Sequence, residues 1–378
     1  MNKNCAKGTF GYDLDFLRQH RNPILLKDSS GQNQLIVSPQ DQGRIMTATA
    51  NGLNGKSHGW LNYDLIQSKK KLPQINPIGG SDRFWMGPEA GQYGLFFKPN
   101  TEFVFDHYQV PACIDTEAFE ILSQTNDQIR LQKNTEITNY QSTVFKVGIE
   151  RQISLLSKTA IEQHLDLDLP ENIRVVGYES LNTLQNNGQN DWKKETGLLS
   201  IWILGMYPAS SETTVIIPLN PNTKTRSNPV NDGYFGQLDE TRLQVKDQKV
   251  LFKADGQYRS KIGIPPQYAT PYAGSYDPIH QILTIVQFSL ETDADYVNSL
   301  WQHQAEPYKG DVINSYNDGP LTDEGTVLGA FYELESSSPA KALMAGEKIK
   351  HYHRTYHFEG DWKTLQKLSE SVLKSSFS

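Results

Sequence analysis

A chain of 378 residues with 37% hydrophobic and 10% aromatic content holds the material for a large core and is no disordered polymer. Its net charge of −7, with no basic run longer than Lys69-Lys70-Lys71, gives no electrostatic footprint for nucleic acid. Cys5 and Cys113 stand outside any C-x-x-C or Cys/His spacing, which argues against a disulfide framework or a structural zinc, and no apolar run is long enough to span a bilayer.

Tyr12 to His20 reads as a helix, with Asp13 and Asp15 early and Asn22-Pro23 beyond its end. Leu35-Ile36-Val37, Arg44 to Thr49, Leu95-Phe96-Phe97 and Phe103-Val104-Phe105 read as strands. Phe145, Val147, Ile149, Ile153 and Leu155 share one face of an extended segment interrupted only by Arg151, which must find a partner because burying a lone guanidinium is costly. Thr159-Ala160-Ile161-Glu162 is a capping-box pattern opening a short helix. Asp293 to Gln302 reads as another helix. Asp361 to Leu373 puts Leu365, Leu368 and Val372 on one stripe, a terminal helix suited to packing on a sheet. No repeat and no Pro- or Ser-rich linker divides the chain. The expectation is one all-β domain over 1–378 with a few short peripheral helices, its core over about 9–360 and a terminal helix over 361–374. Met1 to Cys5 has no apolar leader stretch, which leaves a cytoplasmic protein or one exported with its leader removed.

Four segments carry residues suited to chemistry. In Gly79-Gly80-Ser81-Asp82-Arg83-Phe84-Trp85-Met86-Gly87-Pro88-Glu89 the paired glycines let the backbone turn and approach a ligand. Arg83 there offers a planar fork of donors, Trp85 a stacking face and Glu89 an acceptor. The plain alternative is a tight turn with a core tryptophan and a structural Arg–Glu pair. Val176 to Thr183, with Tyr178, Glu179 and Asn182, alternates as a strand with one polar face. In Tyr258 to Gly263, alternation sets Arg259 and Lys261 on one face, either sharing an anion or solvated, the latter being the plainer reading. In the fourth segment Glu333 and Glu335 share a strand face, and further on His351, His353, Thr355 and His357 share another. Such a polar stripe of imidazoles is unusual for a purely structural sheet.

This last stretch resembles the C-terminal end of galactose mutarotases (aldose 1-epimerases). Leu334-Glu335-Ser336 matches the family's L-E-[ST] strand, Ala345-Gly346-Glu347 its P-G-E turn with Ala for Pro, and His351 through Phe358 its closing strand. The Gly80 to Glu89 segment looks like the superfamily's loop with a sugar-contacting arginine, which would be Arg83. The combination resembles an uncharacterised bacterial family of that superfamily, over roughly Thr9 to Phe358. The resemblance implies a supersandwich fold, a sugar or oligosaccharide as partner, and Glu335 as catalytic base. It departs at one point. The family's T-N-H-x-Y-F-N-L histidine, which protonates the ring oxygen, aligns with Gly177 to Leu184, where Tyr178 or Glu179 stands instead.

Three functions are open at this stage. The first is an aldose-1-epimerase-like isomerase with Glu335 as base, with His351, His353 or Tyr178 as acid, and with Arg83, Trp85, Glu89, Glu179, Asn182, Arg259, Lys261, Glu333 and His357 around the sugar. The second is a non-catalytic carbohydrate-binding module. The third is metal-dependent chemistry on His351-x-His353, with Glu335 or His357 as third ligand. No cofactor is expected unless that third reading holds.

Overall fold

The structure, a computed structural model, describes residues 5–223, 228–320 and 327–375. Within them two antiparallel sheets lie face to face. One has ten strands, in the spatial order Leu243–Lys246, Lys249–Lys253, Thr214–Pro218, Tyr272–Asp277, Ile282–Phe288, Lys348–Glu359, Arg174–Asn186, Val144–Leu156, Gln128–Thr138 and Glu120–Gln124. The other has five, in the order Ser260–Ile264, Ile313–Asn317, Phe331–Ser337, Ser200–Pro208 and Arg83–Gly87. A third sheet, Ile24–Lys27, Gln34–Ser38 and Arg44–Thr49, flanks them.

Strand alternation explains the layering. Val147, Ile149, Ile153, Tyr178 and Leu184 of the large sheet meet Phe84, Met86, Ile201 and Ile203 of the small one. Further along, Val215, Phe252, Val286 and Phe288 meet Ile262, Ile313 and Leu334. Arg151, wholly buried among the first group, finds its partner in Asp82, which also accepts from Ser180 Oγ at 2.7 Å.

The large sheet's other face is covered by helices. Lys158–Leu165 and Trp362–Leu373 press Ile161, Leu165, Leu365, Leu368, Val372 and Leu373 onto Val175, Leu283, Ile285, Tyr356 and Phe358. Asp361 caps the terminal helix by accepting from Thr364 N. The other cap is Ser157, accepting from Ala160 N, two residues before the expected Thr159. The N-terminal helix Phe10–His20, capped by Thr9, packs on Ile36, Met46, Leu61, Ile66 and Ile78.

Three predicted elements take other forms. Leu95-Phe96-Phe97 is looped, its amides spent on turns such as Leu95 N to Pro88 O and Phe96 N to Glu89 O. Phe103-Val104-Phe105 leads into the 3-10 turn Phe105–His107. In both, aromatics that pack edge-to-face on one another mimic the apolar signature of a strand. Asp293 to Gln302 forms no helix, because its backbone bonds reach forward, Tyr296 N to Tyr308 O and Asn298 N to Pro307 O. No helix among the described residues is long and apolar enough to cross a membrane.

Candidate functional site

The strand Phe331–Ser337 divides its side chains between two worlds. Tyr332 and Leu334 enter the interior between the sheets, so Glu333 and Glu335 project from the small sheet's outer face. Register then sets their neighbours. Leu204 and Asn314 flank Glu335, Met206 and Tyr316 flank Glu333, Arg83 pairs with Leu204, Trp85 with Trp202, and Lys261 with Tyr316.

The charged groups interlock. Lys261 Nζ lies 3.1 Å from Glu335 Oε2, and Trp202 Nε1 donates to that same oxygen at 2.9 Å. Arg83 Nη2 lies 3.4 Å from Glu333 Oε1, while its guanidinium rests 4.0 Å from the centre of the Trp85 ring. Glu335 is wholly buried, and Arg83 and Glu333 nearly so. Burial pushes the Glu333 carboxyl up to about 8; Arg83 and Lys261 oppose the rise, and Glu335, within hydrogen-bonding reach, adds to it. Burial also pulls on the Lys261 ammonium, but Glu335, Glu89 and Glu333 outweigh it and hold it above its ordinary value. The result is a desolvated Glu333 carboxyl that keeps its proton at neutral pH, beside Glu335.

Loops wall this face. Asp311 accepts from Tyr234 Oη at 2.7 Å and from Asn231 Nδ2 at 3.2 Å, and burial pushes its carboxyl up to about 6. A recess of ≈ 10 Å³ lined by Ser200, Trp202, Tyr234, Lys261, Asp311 and Asn314 sits beneath them, about the room that one water needs. Glu89 follows the strand Arg83–Gly87. It accepts from Trp301 Nε1 at 3.1 Å, and burial raises its carboxyl as well. Four buried polar atoms on this face have no hydrogen-bond partner in the protein: Arg83 Nε, Trp85 Nε1, Ser200 Oγ and Glu335 Oε1. Such atoms are costly unless something else satisfies them.

Arg83, Trp85, Glu89, Lys261, Glu333 and Glu335 are therefore brought together. The Trp85 face is taken by Arg83 rather than open for stacking. Arg259 borders the cluster, with Nε 3.1 Å from Tyr316 Oη and its guanidinium over Phe235. Lys261 is not the solvated side chain that the sequence favours, since a carboxylate neighbour holds it.

The remaining candidates lie elsewhere. His351, His353 and His357 are wholly buried between the sheets, not on a solvent-facing stripe. Ser336 Oγ holds His351 Nε2 and His353 Nδ1, each at 2.8 Å, on the side of the strand away from Glu335. His357 bonds Thr284 and Tyr178 and stacks on His58. Burial depresses all three imidazoles, His351 and His353 to about 3, so they are neutral and lack the imidazolium proton that a general acid would give up. Tyr178, in the same interior seam, is pushed above its ordinary range by burial. Asn182 is there too, bonded to Ser180 and the His351 carbonyl. Glu179 is on the large sheet's opposite face, 2.6 Å from Arg354 Nε. Among the described residues no three His, Cys, Asp or Glu side chains are grouped to hold a metal ion, so the His351-x-His353 pair lacks a third ligand.

Sequence reasoning missed Trp202, Tyr234, Trp301 and Asp311. Ser200–Pro208 and Ile313–Asn317 flank Glu335, and the side chain that the first of them turns to the carboxylate is an indole. Trp202 sits in the apolar run Leu198 to Tyr207, which reads as core. The other three come from loops, where no periodicity marks them.

The family described as "Family of unknown function (DUF6786)" matches residues 8–378. No curated protein matches the sequence. Among solved structures, the Slr1438 protein of Synechocystis sp. PCC 6803 is similar at a TM-score of 0.55 and 13% identity, over 90% of this chain and 96% of that one. A galactose mutarotase-like protein of Lactobacillus casei ATCC 334 is similar at 0.53 and 9% identity, over 89% and 100%. These likenesses are of fold, and the all-β architecture is galactose mutarotase-like.

Proposed function

The chain belongs to that family of unknown function over residues 8–378, and on that premise and its fold we propose that it binds a sugar at the Glu333–Glu335 face and interconverts its anomers. One observation carries the reading. Burial keeps the Glu333 carboxyl protonated at neutral pH beside Glu335, whose Oε1 receives no donor from the protein's side chains or backbone. Trp202 and Lys261 both hold Oε2, which leaves Oε1 as the basic oxygen.

Anomer exchange needs a base at the anomeric hydroxyl and an acid at the ring oxygen. These two oxygens are bonded to one carbon, so the acid and base must stand close together. Glu335 Oε1 takes the hydroxyl proton as the C1=O1 bond forms; the bond from C1 to the ring oxygen breaks and that oxygen takes the Glu333 proton. Rotation about C1–C2 and the reverse sequence give the other anomer. The raised Glu333 replaces the imidazole acid that sequence comparison looks for. Glycoside hydrolysis fits less well, because its carboxyl pairs stand roughly 5 Å or more apart to admit a nucleophilic or water attack. Arg83 Nε, Trp85 Nε1 and Ser200 Oγ supply the unsatisfied donors and acceptors a polyhydroxyl ligand meets.

The interior placement of His351, His353 and Tyr178, which takes the expected acids away from this face, favours a second reading, a sugar-binding protein without turnover. Polarimetry of freshly dissolved α-galactose and α-glucose separates the two. Anomerase activity predicts faster mutarotation than in buffer, lost in Glu335→Gln. A rate identical in the two proteins leaves binding alone, and no saturable sugar binding removes both.

A further inference from the structure

Trp301 is displayed beside this face in a way that packing alone does not require. The residue is 37% exposed. One face stacks on Tyr108 at 4.9 Å and 19°, the edge meets Phe97 at 5.1 Å, and Nε1 is tied to Glu89 at 3.1 Å. Those contacts take one face, one edge and the ring nitrogen, and over a third of the residue's surface still meets solvent.

The loop beneath is pinned. Gln304 Nε2 donates to the carbonyls of Asn298 and Leu300 at 3.1 and 2.8 Å. Gln304 and Gln92 exchange two further bonds, at 2.8 and 3.0 Å. Gly91, at φ +80°, admits Gln304 so closely that a Cβ there would sit 2.8 Å from its Nε2. Ser299, two residues before Trp301, lines the recess under Lys261 and Asp311 and accepts from Glu89 N. An exposed aromatic held in one orientation has already lost the freedom that binding would otherwise cost it.

We propose that Trp301 is the platform of a second sugar subsite, so that the ligand is an oligosaccharide whose reducing-end ring meets Glu333 and Glu335 while the preceding ring stacks on the indole. The apolar face of a pyranose lies flat on such a ring, with no charge required. This rests on the sugar reading of the carboxyl face and adds to it the length of the ligand.

Calorimetric titration of the full chain with galactose and glucose, and with lactose, maltose and cellobiose, tests it. At least one disaccharide should bind about tenfold more tightly than its reducing-end monosaccharide, the size of one stacking contact. That ratio should fall toward one in Trp301→Ala and be partly kept in Trp301→Phe. Disaccharides binding no better than monosaccharides, or a ratio unchanged in Trp301→Ala, would overturn the subsite while leaving the sugar reading intact. Failure of every sugar to bind would overturn both.

Discussion

Trp202 and Glu335, 133 residues apart, meet through an indole N–H donating to Oε2 at 2.9 Å. Lys261 reaches the same oxygen from the edge strand on the other side of Glu335. A carboxylate held at one oxygen presents the other in a fixed direction, which is what a base needs when its target is a single hydroxyl proton. Replacing Trp202 by Phe removes one donor and keeps the ring. Loss of a hydrogen bond to a charged group is worth about 1.5–3 kcal/mol. Anomer exchange should fall by tenfold or more, while the fold, read by circular dichroism, is kept. A rate unchanged in Trp202→Phe would assign Trp202 to packing alone.

Glu333 pits stability against chemistry. Its folded carboxyl titrates near 8, against an ordinary 4.5. The native state therefore keeps a proton that the unfolded chain releases, and its contribution to stability is lost as pH rises from about 4.5 through 8. Glu333→Gln, uncharged at every pH, should gain stability over the unaltered protein across that interval in urea unfolding while losing anomer exchange. A variant no more stable at pH 8 than at pH 5, relative to the parent, would contradict the raised carboxyl.

The interior histidines act in the opposite sense. His351 and His353 titrate near 3 in the folded chain against 6.5 unfolded, so below 6.5 the unfolded chain binds protons that the native one refuses. Each should remove about 1.4 kcal/mol of stability per pH unit between 6.5 and 3. Replacing both by Gln should flatten the acid limb of the stability curve. An unchanged slope would mean that these imidazoles are not buried.

The Arg151–Asp82 pair lies in the same seam, with both side chains fully buried. Removing one partner strands the other charge, which costs about 3–5 kcal/mol. Asp82→Asn should therefore lower the unfolding midpoint strongly, whereas exchange of Arg130, half-exposed in its pair with Glu150, should change stability by under about 1 kcal/mol.

Much of this was legible in the sequence. The stripe Leu365, Leu368 and Val372 does pack on the sheet, the strand Arg44–Thr49 has the bounds expected, and alternation alone set Glu333 beside Glu335. What alternation cannot tell is what each face of a strand meets. The His351, His353 and His357 face is polar in composition, yet it closes onto Ser336 and Thr284 inside the sandwich. Hydrogen bonds from another strand do there what solvent would do at a surface. Ser336, next to Glu335, points into that seam, so adjacent residues in one motif serve opposite sides of a layer. Trp202 stayed hidden for the converse reason: its apolar surroundings gave no sign that its N–H had a carboxylate to meet.

Carboxyl-observed NMR of the protein labelled with ¹³C at glutamate, with Glu333→Gln and Glu335→Gln as assignments, addresses the raised Glu333 carboxyl and the bound sugar together. One resonance of the pair should titrate well above the ordinary carboxylate range, and both should shift when a binding sugar is added. Two ordinary titrations, or a sugar that binds and moves neither signal, would contradict it.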